Sequence, residues 1–155
     1  MKKYISLFLY AVAACALFYL DRITKAWALI YAVDRIELTP FLSFDLVINR
    51  GVTAGMFQSD SPGWFMLLSV IIGAIIVALA FYTYYRWYNG TWVIGEMSTL
   101  AGATSNLPDR YLFDGVIDFI HISFFGYSFP VFNIADICIV LGVAIMFVLH
   151  MKEDA

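Results

Sequence analysis

The stretch SPGWFMLLSVIIGAIIVALAFYTYY, Ser61 to Tyr85, contains no charged residue. A helix of roughly 20 apolar residues spans the ~30 Å hydrocarbon core of a bilayer, so this run reads as a transmembrane helix. Its entry is marked by Asp60-Ser61-Pro62, with Ser61 as the cap and Pro62 at the first helical position. Three other stretches follow the same logic. Tyr4 to Leu20 lies between Lys2-Lys3 and Asp21 and is just long enough to cross. A span at about 91–107 contains one acid, Glu96, and another at about 131–151 contains Asp136. Arg86-Trp87-Tyr88-Asn89-Gly90 reads as a short turn between spans two and three, its aromatics suited to the membrane interface. The expected fold is a membrane all-α protein, a four-transmembrane-helix bundle with spans at about 4–20, 61–85, 91–107 and 131–151.

Composition agrees. Of 155 residues, 63% are hydrophobic and 14% charged, and the mean hydropathy is +0.83. A soluble domain runs nearer half apolar and a quarter charged. A chain this short cannot hide so much apolar surface in its own core, so lipid must cover it. The balance excludes a disordered tail and almost any water-soluble enzyme of this size. With a net charge of −3, no basic surface argues for nucleic acid. The length allows one domain, residues 1–155. Cys15 and Cys138 sit inside apolar runs and read as two buried thiols, not a disulfide framework.

Four spans put both termini on one side. Lys2, Lys3, Arg86 and Lys152 then share that side, against Arg35, Arg50 and Arg110 opposite, with Arg22 and Lys25 at the opposite membrane edge. The count is balanced, and the N-terminal lysines favour cytoplasmic termini. The longest loop, about 33–60, faces outward, and Phe44 to Asn49 within it alternates in the manner of a strand. A small β-rich extracytoplasmic subdomain is expected there. Val12-Ala13-Ala14-Cys15 after Lys2-Lys3 has the look of a lipoprotein signal peptide. The apolar run continues past Cys15 to Leu20, so a retained helix is the expected reading.

Ionisable groups in or beside spans are expensive and mark function. Asp21 and Lys25, four apart, share a helix face in the favourable acid-before-base order and read first as an interfacial ion pair. Asn106, Asp109 and Arg110 can line one face at the end of span three, after the small residues Ala101, Gly102 and Ala103. They read equally as site residues or as an interfacial pair with an interhelical amide. Pro108 should disturb that last turn, with Thr104 or Ser105 serving the freed carbonyls. Asn133 and Asp136 lie three apart where span four begins, and Asp136 sits in an otherwise apolar run. An unpaired carboxylate there costs several kcal/mol, so it needs a partner or a proton. Asp118 stands in similar company in Gly115-Val116-Ile117-Asp118-Phe119. The connection between spans three and four must bring its ends together, so Asp118 and Asp136 can meet and share a proton. A catalytic dyad, a structural pair or a proton relay would each satisfy that pattern. His121 and His150 lack metal-ligand spacing, and no metal or cofactor is expected. His150 reads as an interface residue at a helix C-terminus, and Glu96 as a snorkelling or locally paired acid.

Taken in order, these residues resemble the type II (lipoprotein) signal peptidase family. Asp21-Arg22-Ile23-Thr24-Lys25 is similar to the family's Asp-Gln-x-Thr-Lys, and Asn49-Arg50-Gly51-Val52-Thr53-Ala54-Gly55 to its Asn-x-Gly-Ala-Ala-Phe segment. Gly102 to Arg110 resembles Gly-Ala-x-Gly-Asn-x-x-Asp-Arg. Val116-Ile117-Asp118-Phe119 and Phe132-Asn133-Ile134-Ala135-Asp136 resemble the two blocks with catalytic aspartates. Arg22, Ala54, Ser105 and Pro108 depart from the pattern without removing a carboxylate. The resemblance implies a bacterial inner-membrane aspartyl endopeptidase that cleaves diacylglyceryl-modified prolipoproteins before the lipidated Cys. It implies Asp118 and Asp136 as catalytic. Asn106 and Asn133 would orient the dyad or the substrate, Arg110 with Asp109 would brace the site, and Asp21, Lys25, Asn49 and Gly51 would shape its rim. The expected partners are the prolipoprotein and the bilayer, with no nucleic acid, and a monomer is expected. The rival is a small proton-coupled carrier or channel subunit relaying protons through Asp136, Asp118 and Glu96. A structural assembly factor is the third reading, under which the aspartates are dispensable.

Overall fold

The computed structural model describes residues 2–51 and 61–153. The features expected at Val52, Thr53, Ala54, Gly55 and Asp60 lie outside the described residues. Among these residues, four helices and four strands follow in the order α1 (Lys2–Tyr31), β1 (Ile36–Thr39), β2 (Leu42–Asn49), α2 (Pro62–Tyr88), α3 (Ile94–Leu112), β3 (Val116–Phe124), β4 (Tyr127–Ser128), α4 (Ile134–Glu153).

Among the described residues, three helices are long and apolar enough to cross a membrane: Tyr4–Tyr31, Pro62–Tyr88 and Ile134–Lys152. The first was expected to end near Leu20, but its helix runs on through Asp21 to Tyr31. Nothing between them breaks helical geometry, and Asp21 and Lys25 find partners inside the protein. Ser61 takes the N-cap position of α2 without a side-chain capping bond, ahead of Pro62. That helix also outruns expectation. It carries Arg86 and Trp87 as buried helical residues, leaving the turn to begin at Asn89.

The remaining helix, α3, where a span at about 91–107 was expected, is not among these three; it is the most polar and packs against the other three helices. Pro108 lies within it and the helix still continues to Leu112. Thr104 donates its hydroxyl to the Leu100 carbonyl at 2.6 Å, and Ser105 donates to Asp21. Small residues bring α3 and α4 together. A Cβ on Gly95 would lie 2.7 Å from the Gly142 carbonyl oxygen, and one on Gly102 would collide with the Ala135 carbonyl. Close backbone approach of this kind is how helices pack where lipid removes the hydrophobic drive.

The sheet is antiparallel, ordered β1-β2-β3-β4. Two of its strands come from the expected loop. The other two follow α3, a stretch whose Val116, Ile117 and Phe119 are buried apolar residues around Asp118. That continuous apolar run hid the strand from an alternation search. The sheet is tied to the end of α1: the Leu46 amide donates to the Ala32 carbonyl at 3.0 Å. Ala28, Ala32 and Phe119 form a small core there, with Trp27 and Phe44 packed on it. Cys138 is buried, but Cys15 is exposed on α1, correcting the pairing of both as buried.

Candidate active site

Register on the sheet positions the first carboxylate. Phe44 pairs with Ile120, but Val47 pairs with Asp118, so β2 gains one residue over β3 between those pairs. Side chains alternate faces along a strand, and one extra residue reverses which face follows it. Without that bulge Asn49 would point away from Asp118. With it, Asn49 Nδ2 donates to Asp118 Oδ2 at 2.9 Å. Asn133 Nδ2 donates to Asp118 Oδ1 at 2.6 Å, so both carboxyl oxygens are engaged.

The second carboxylate is set by a helix start. Asn133 stands just before α4, not on its face: its Oδ1 accepts from the Asp136 amide at 2.8 Å, and its own amide donates to Asp136 Oδ2 at 3.3 Å. This reciprocal exchange is the capping-box arrangement, with Asp at the third helical position. Asn-x-x-Asp ahead of an apolar run was the available signal. The fourth contact comes from α3, where Asn106 Nδ2 donates to Asp136 Oδ1 at 3.0 Å.

Asn106 is itself oriented from beneath. Lys25 Nζ donates to Asn106 Oδ1 at 2.5 Å. An ammonium only donates, so it fixes the carboxamide with oxygen toward Lys25 and NH₂ toward Asp136. Lys25 also pairs with Asp21 and Asp109, each at 2.8 Å. Lys25, Asp21 and Asp109 are all buried, so the interfacial ion pair expected of Asp21 and Lys25 is an interior network instead. Asp21 additionally accepts from the Ala135 amide at 2.8 Å and the Ser105 hydroxyl at 2.6 Å. Arg22 pairs with Asp109 and donates to the Ser105 carbonyl. The sequence placed Arg22 at the membrane edge and gave Ser105 to the carbonyls freed by Pro108, naming neither as a site residue, although both bond within this network. An extra cation beside Asp21 was the only hint.

Asn106, Asp109 and Arg110 do not share a role. Asn106 and Arg110 line the same cavity, of about 160 Å³, as Asn49, Gly51, Asp118 and Asp136, while Asp109 turns toward Lys25. Arg110 donates to the Gly51 carbonyl at 2.5 Å and stacks 5.6 Å from the Phe65 ring centroid. Its Nη1 is buried with no hydrogen-bond partner among the described residues. Gly51 is held in turn by its amide donating to Asn49 Oδ1 at 2.8 Å. Burial, reinforced by the Asp136 charge, pushes the Asp118 carboxyl up to about 7, against the lowering effect of its Asn49 and Asn133 hydrogen bonds.

Glu96 and His150 stand apart, at the other end of the bundle. Glu96 pairs with Arg86 at 3.2 Å, and both are buried. His150 accepts or donates with Tyr82 at 2.6 Å and contacts Arg86. Arg86 therefore belongs to the interior and not to an exposed turn.

Membrane-length apolar helices, an antiparallel sheet and a polar cavity holding two carboxylates define the class: a helical membrane-type protein with a built polar site. Two solved bacterial membrane enzymes share the fold. One matches with a TM-score of 0.74 at 27% identity, over 95% of this chain and 90% of its own. The other gives 0.72 at 30%, over 93% of each. The family model for signal peptidase (SPase) II matches residues 13–152. A lipoprotein signal peptidase of Clostridium novyi (strain NT) is 36% identical over 138 residues, covering 86% of this chain and 91% of the relative. One from Aquifex aeolicus (strain VF5) is 37% identical over 140 residues, covering 89% and 83%. The chain belongs to the signal peptidase II family, and is thus a protease of lipoprotein processing in the bacterial inner membrane.

Proposed function

We propose that this protein is an aspartyl endopeptidase that removes the signal peptide from diacylglyceryl-modified prolipoproteins, cutting before the lipidated cysteine. The observation that carries the reading is the convergence of Asp118 and Asp136 on one cavity, each held by carboxamides. Such a pair does acid–base work without a metal. One carboxylate takes a proton from water as its oxygen bonds to the scissile carbonyl carbon. The protonated partner gives its proton to the carbonyl oxygen. Collapse of the resulting diol breaks the C–N bond, returns a proton to the dyad, and passes one to the leaving cysteine amine. The dyad titrates as a unit, so neither aspartate is assigned the resting proton.

The surrounding residues have roles consistent with their contacts. Asn49, Asn106 and Asn133 hold the two carboxyls in mutual register, and Lys25, Asp21 and Asp109 hold Asn106 and the start of α4. Arg110 offers its unpartnered Nη1 to a substrate carbonyl beside Gly51. Residues 1–155 act as one monomeric unit with four spans, α3 being the polar interior one. Both termini lie in the cytoplasm, and the sheet and dyad at the extracytoplasmic surface. The carrier alternative needs Glu96 in a relay. Its pairing with Arg86, ten residues from Asn106 or ~15 Å along α3, gives that path no support.

The test is cleavage of a diacylglyceryl prolipoprotein in liposomes by the wild type and by Asp118→Asn and Asp136→Asn. Both variants should lose about 10³-fold or more in rate, since acid–base groups supply 10²–10⁴ each. Retained cleavage by either one defeats the aspartyl assignment.

A further inference from the structure

Arg22 and Ser105, two positions where the chain departs from the motifs it resembles, touch each other, and a third, Pro108, lies beside them in α3. The Arg22 guanidinium reaches from α1 to α3, where Nη1 donates to the Ser105 carbonyl at 3.2 Å and pairs with Asp109 Oδ1. Ser105 and Asp109 are four apart, on either side of Pro108, so one side chain grips the turn that carries Asn106. We propose that Arg22 is a positioning residue for peptide cleavage: by neutralising Asp109 it leaves Lys25 to hold the Asn106 carboxamide against Asp136. The inference rests on the aspartyl reading above.

Three observations carry it. The first is that Lys25 has no donor to spare. Its three N–H groups go to Asp21 Oδ2 and Asp109 Oδ2 at 2.8 Å and to Asn106 Oδ1 at 2.5 Å. Two of those acceptors are charged, and the neutral amide has the weakest hold on the cation. The second is charge balance. Asp21 and Asp109 are buried anions, matched by Lys25 and Arg22 as two cations. Without Arg22, Asp109 Oδ1 loses its partner and the interior keeps one net negative charge. Lys25 is then drawn toward Asp109, and Asn106 Oδ1 loses the donor that fixes it. A carboxamide released in this way can turn its oxygen to Asp136, exchanging a hydrogen bond for a repulsion. Third, the turn needs holding. Pro108 has no amide hydrogen, so the Thr104 carbonyl loses its helical donor in the turn that carries Asn106. Arg22 ties Ser105 to Asp109 across that gap.

The dyad feels the charge of this network. Burial and Asp136 raise the Asp118 carboxyl, and Lys25 is among the groups that lower it. The other charges packed near the pair are Asp21 and Arg22 on α1 and Asp109 and Arg110 on α3. The single charge of α2, Arg86, is paired with Glu96 at the far end. Beside the sheet Arg50 pairs with Asp114, and His121 on β3 bonds to Ser128. On α4 the Cys138 thiol is buried two residues beyond Asp136, and His150 and Lys152 fall in the last turn. Removing Arg22 leaves the pair beside an unbalanced anion, which favours its protonated form. Both limbs of the pH profile then move to higher pH.

The experiment measures kcat and KM across pH on a diacylglyceryl prolipoprotein in liposomes, for the wild type, Arg22→Lys, Arg22→Gln and Arg22→Met. Lys keeps the charge, whereas Gln and Met remove it. Both uncharged variants should lower kcat by roughly tenfold, a fraction of the ~10²-fold that a 1 Å misplacement costs. Their KM should change by less than about twofold, since substrate contacts are untouched. Their limbs should rise by about half a pH unit, less than a contacting charge produces, because Arg22 acts through Asp109 and its side chain is 26% exposed. Arg22→Lys should keep the wild-type limbs and most of kcat. An unchanged kcat in the uncharged variants overturns the proposal, as does a loss confined to KM. A lowered melting temperature with an unmoved profile makes Arg22 scaffold alone and overturns it too, and so do displaced limbs in Arg22→Lys. Should Arg22→Met fail to fold, Arg22→Gln, which keeps a hydrogen-bonding side chain, decides. If the wild type does not cleave, or Asp118→Asn still does, the aspartyl reading itself has failed, which separates that outcome from failure of the role of Arg22.

Discussion

At the scale of single residues, the site is a set of constrained hydrogen bonds around two acids. Lys25 decides what Asn106 presents to Asp136, and Asn133 touches both carboxyls from one side chain and one amide. Asp118, held up to about 7 mainly by burial and then by Asp136, gives two pH consequences. Under the proposed dyad mechanism, the reaction needs one proton on the pair. Cleavage should therefore fall as pH rises past about 7, seen as the alkaline limb of kcat/KM in a liposome assay. Stability follows the same proton. The folded carboxyl binds it more tightly than the unfolded one, whose pKa is near 3.8. Folding stability thus declines as pH climbs from about 4 to 7. Asp118→Asn should raise the melting temperature in detergent at pH 8 and change it little at pH 4. A melting temperature lowered at pH 8 would contradict this. Lys25 makes the opposite case. Lys25→Met would leave the buried Asp21 without a cation and Asp109 with Arg22 alone, and should cost about 3–5 kcal/mol, as breaking buried pairs does. Arg22→Gln should cost less, because the Arg22 side chain is 26% exposed. Chemical denaturation in detergent ranks the two, and a larger loss at Arg22 would refute the network as described.

Elements turn those residues toward one another. The bulge in β2 rotates Asn49 onto the face of Asp118, and the capping box at α4 aims Asp136. Glycines set how near α4 lies to α3. An alanine at Gly95 or Gly102 meets backbone carbonyls of α4, and overpacking of this kind costs about 1–3 kcal/mol. The two sites differ in what they push. Gly95 faces Gly142, far along α4, whereas Gly102 faces Ala135, next to Asp136. Gly95→Ala should therefore lower stability with kcat retained, while Gly102→Ala should lower both. Equal kcat losses would mean that the helices shift as one body.

Across the whole molecule, polar groups are sorted to two ends of a bundle whose sides are apolar. The site end carries the sheet and the dyad. The far end carries Arg86 paired with Glu96, together with His150 and Tyr82. That far pair reads as scaffold. Arg86→Gln should destabilise the protein by about 3–5 kcal/mol through an unpaired buried Glu96, while Arg86→Met with Glu96→Met should recover most of the loss. KM should stay at the wild-type value in the double variant. A raised KM would tie this end to substrate.

Much of this was legible in the sequence, because the costs involved are local. A charge-free run from Ser61 to Tyr85 has one economical solvent, and a carboxylate at 136 in an apolar stretch must be used or neutralised. Five short motifs in order named the family and pointed to Asp118, Asp136 and their neighbours. Contacts between distant segments were not legible. Lys25 and Asp109 are 84 positions apart in sequence, and no local pattern distinguishes an interfacial pair from their buried one. Strand β3 read as merely apolar because its residues on both faces are covered. Bulge register depends on what β2 packs against, and an apolar cavity beside Asp136 exists only once residues 129–132 are tied to β3. The sequence by itself determined the solvent, the helices and the identities of the acids, since hydrophobic transfer and desolvation are paid residue by residue. Tertiary structure alone decided which oxygens those acids offer and which apolar cavity lies beside Asp136, since hydrogen-bond direction and cavity shape arise only where separate segments meet.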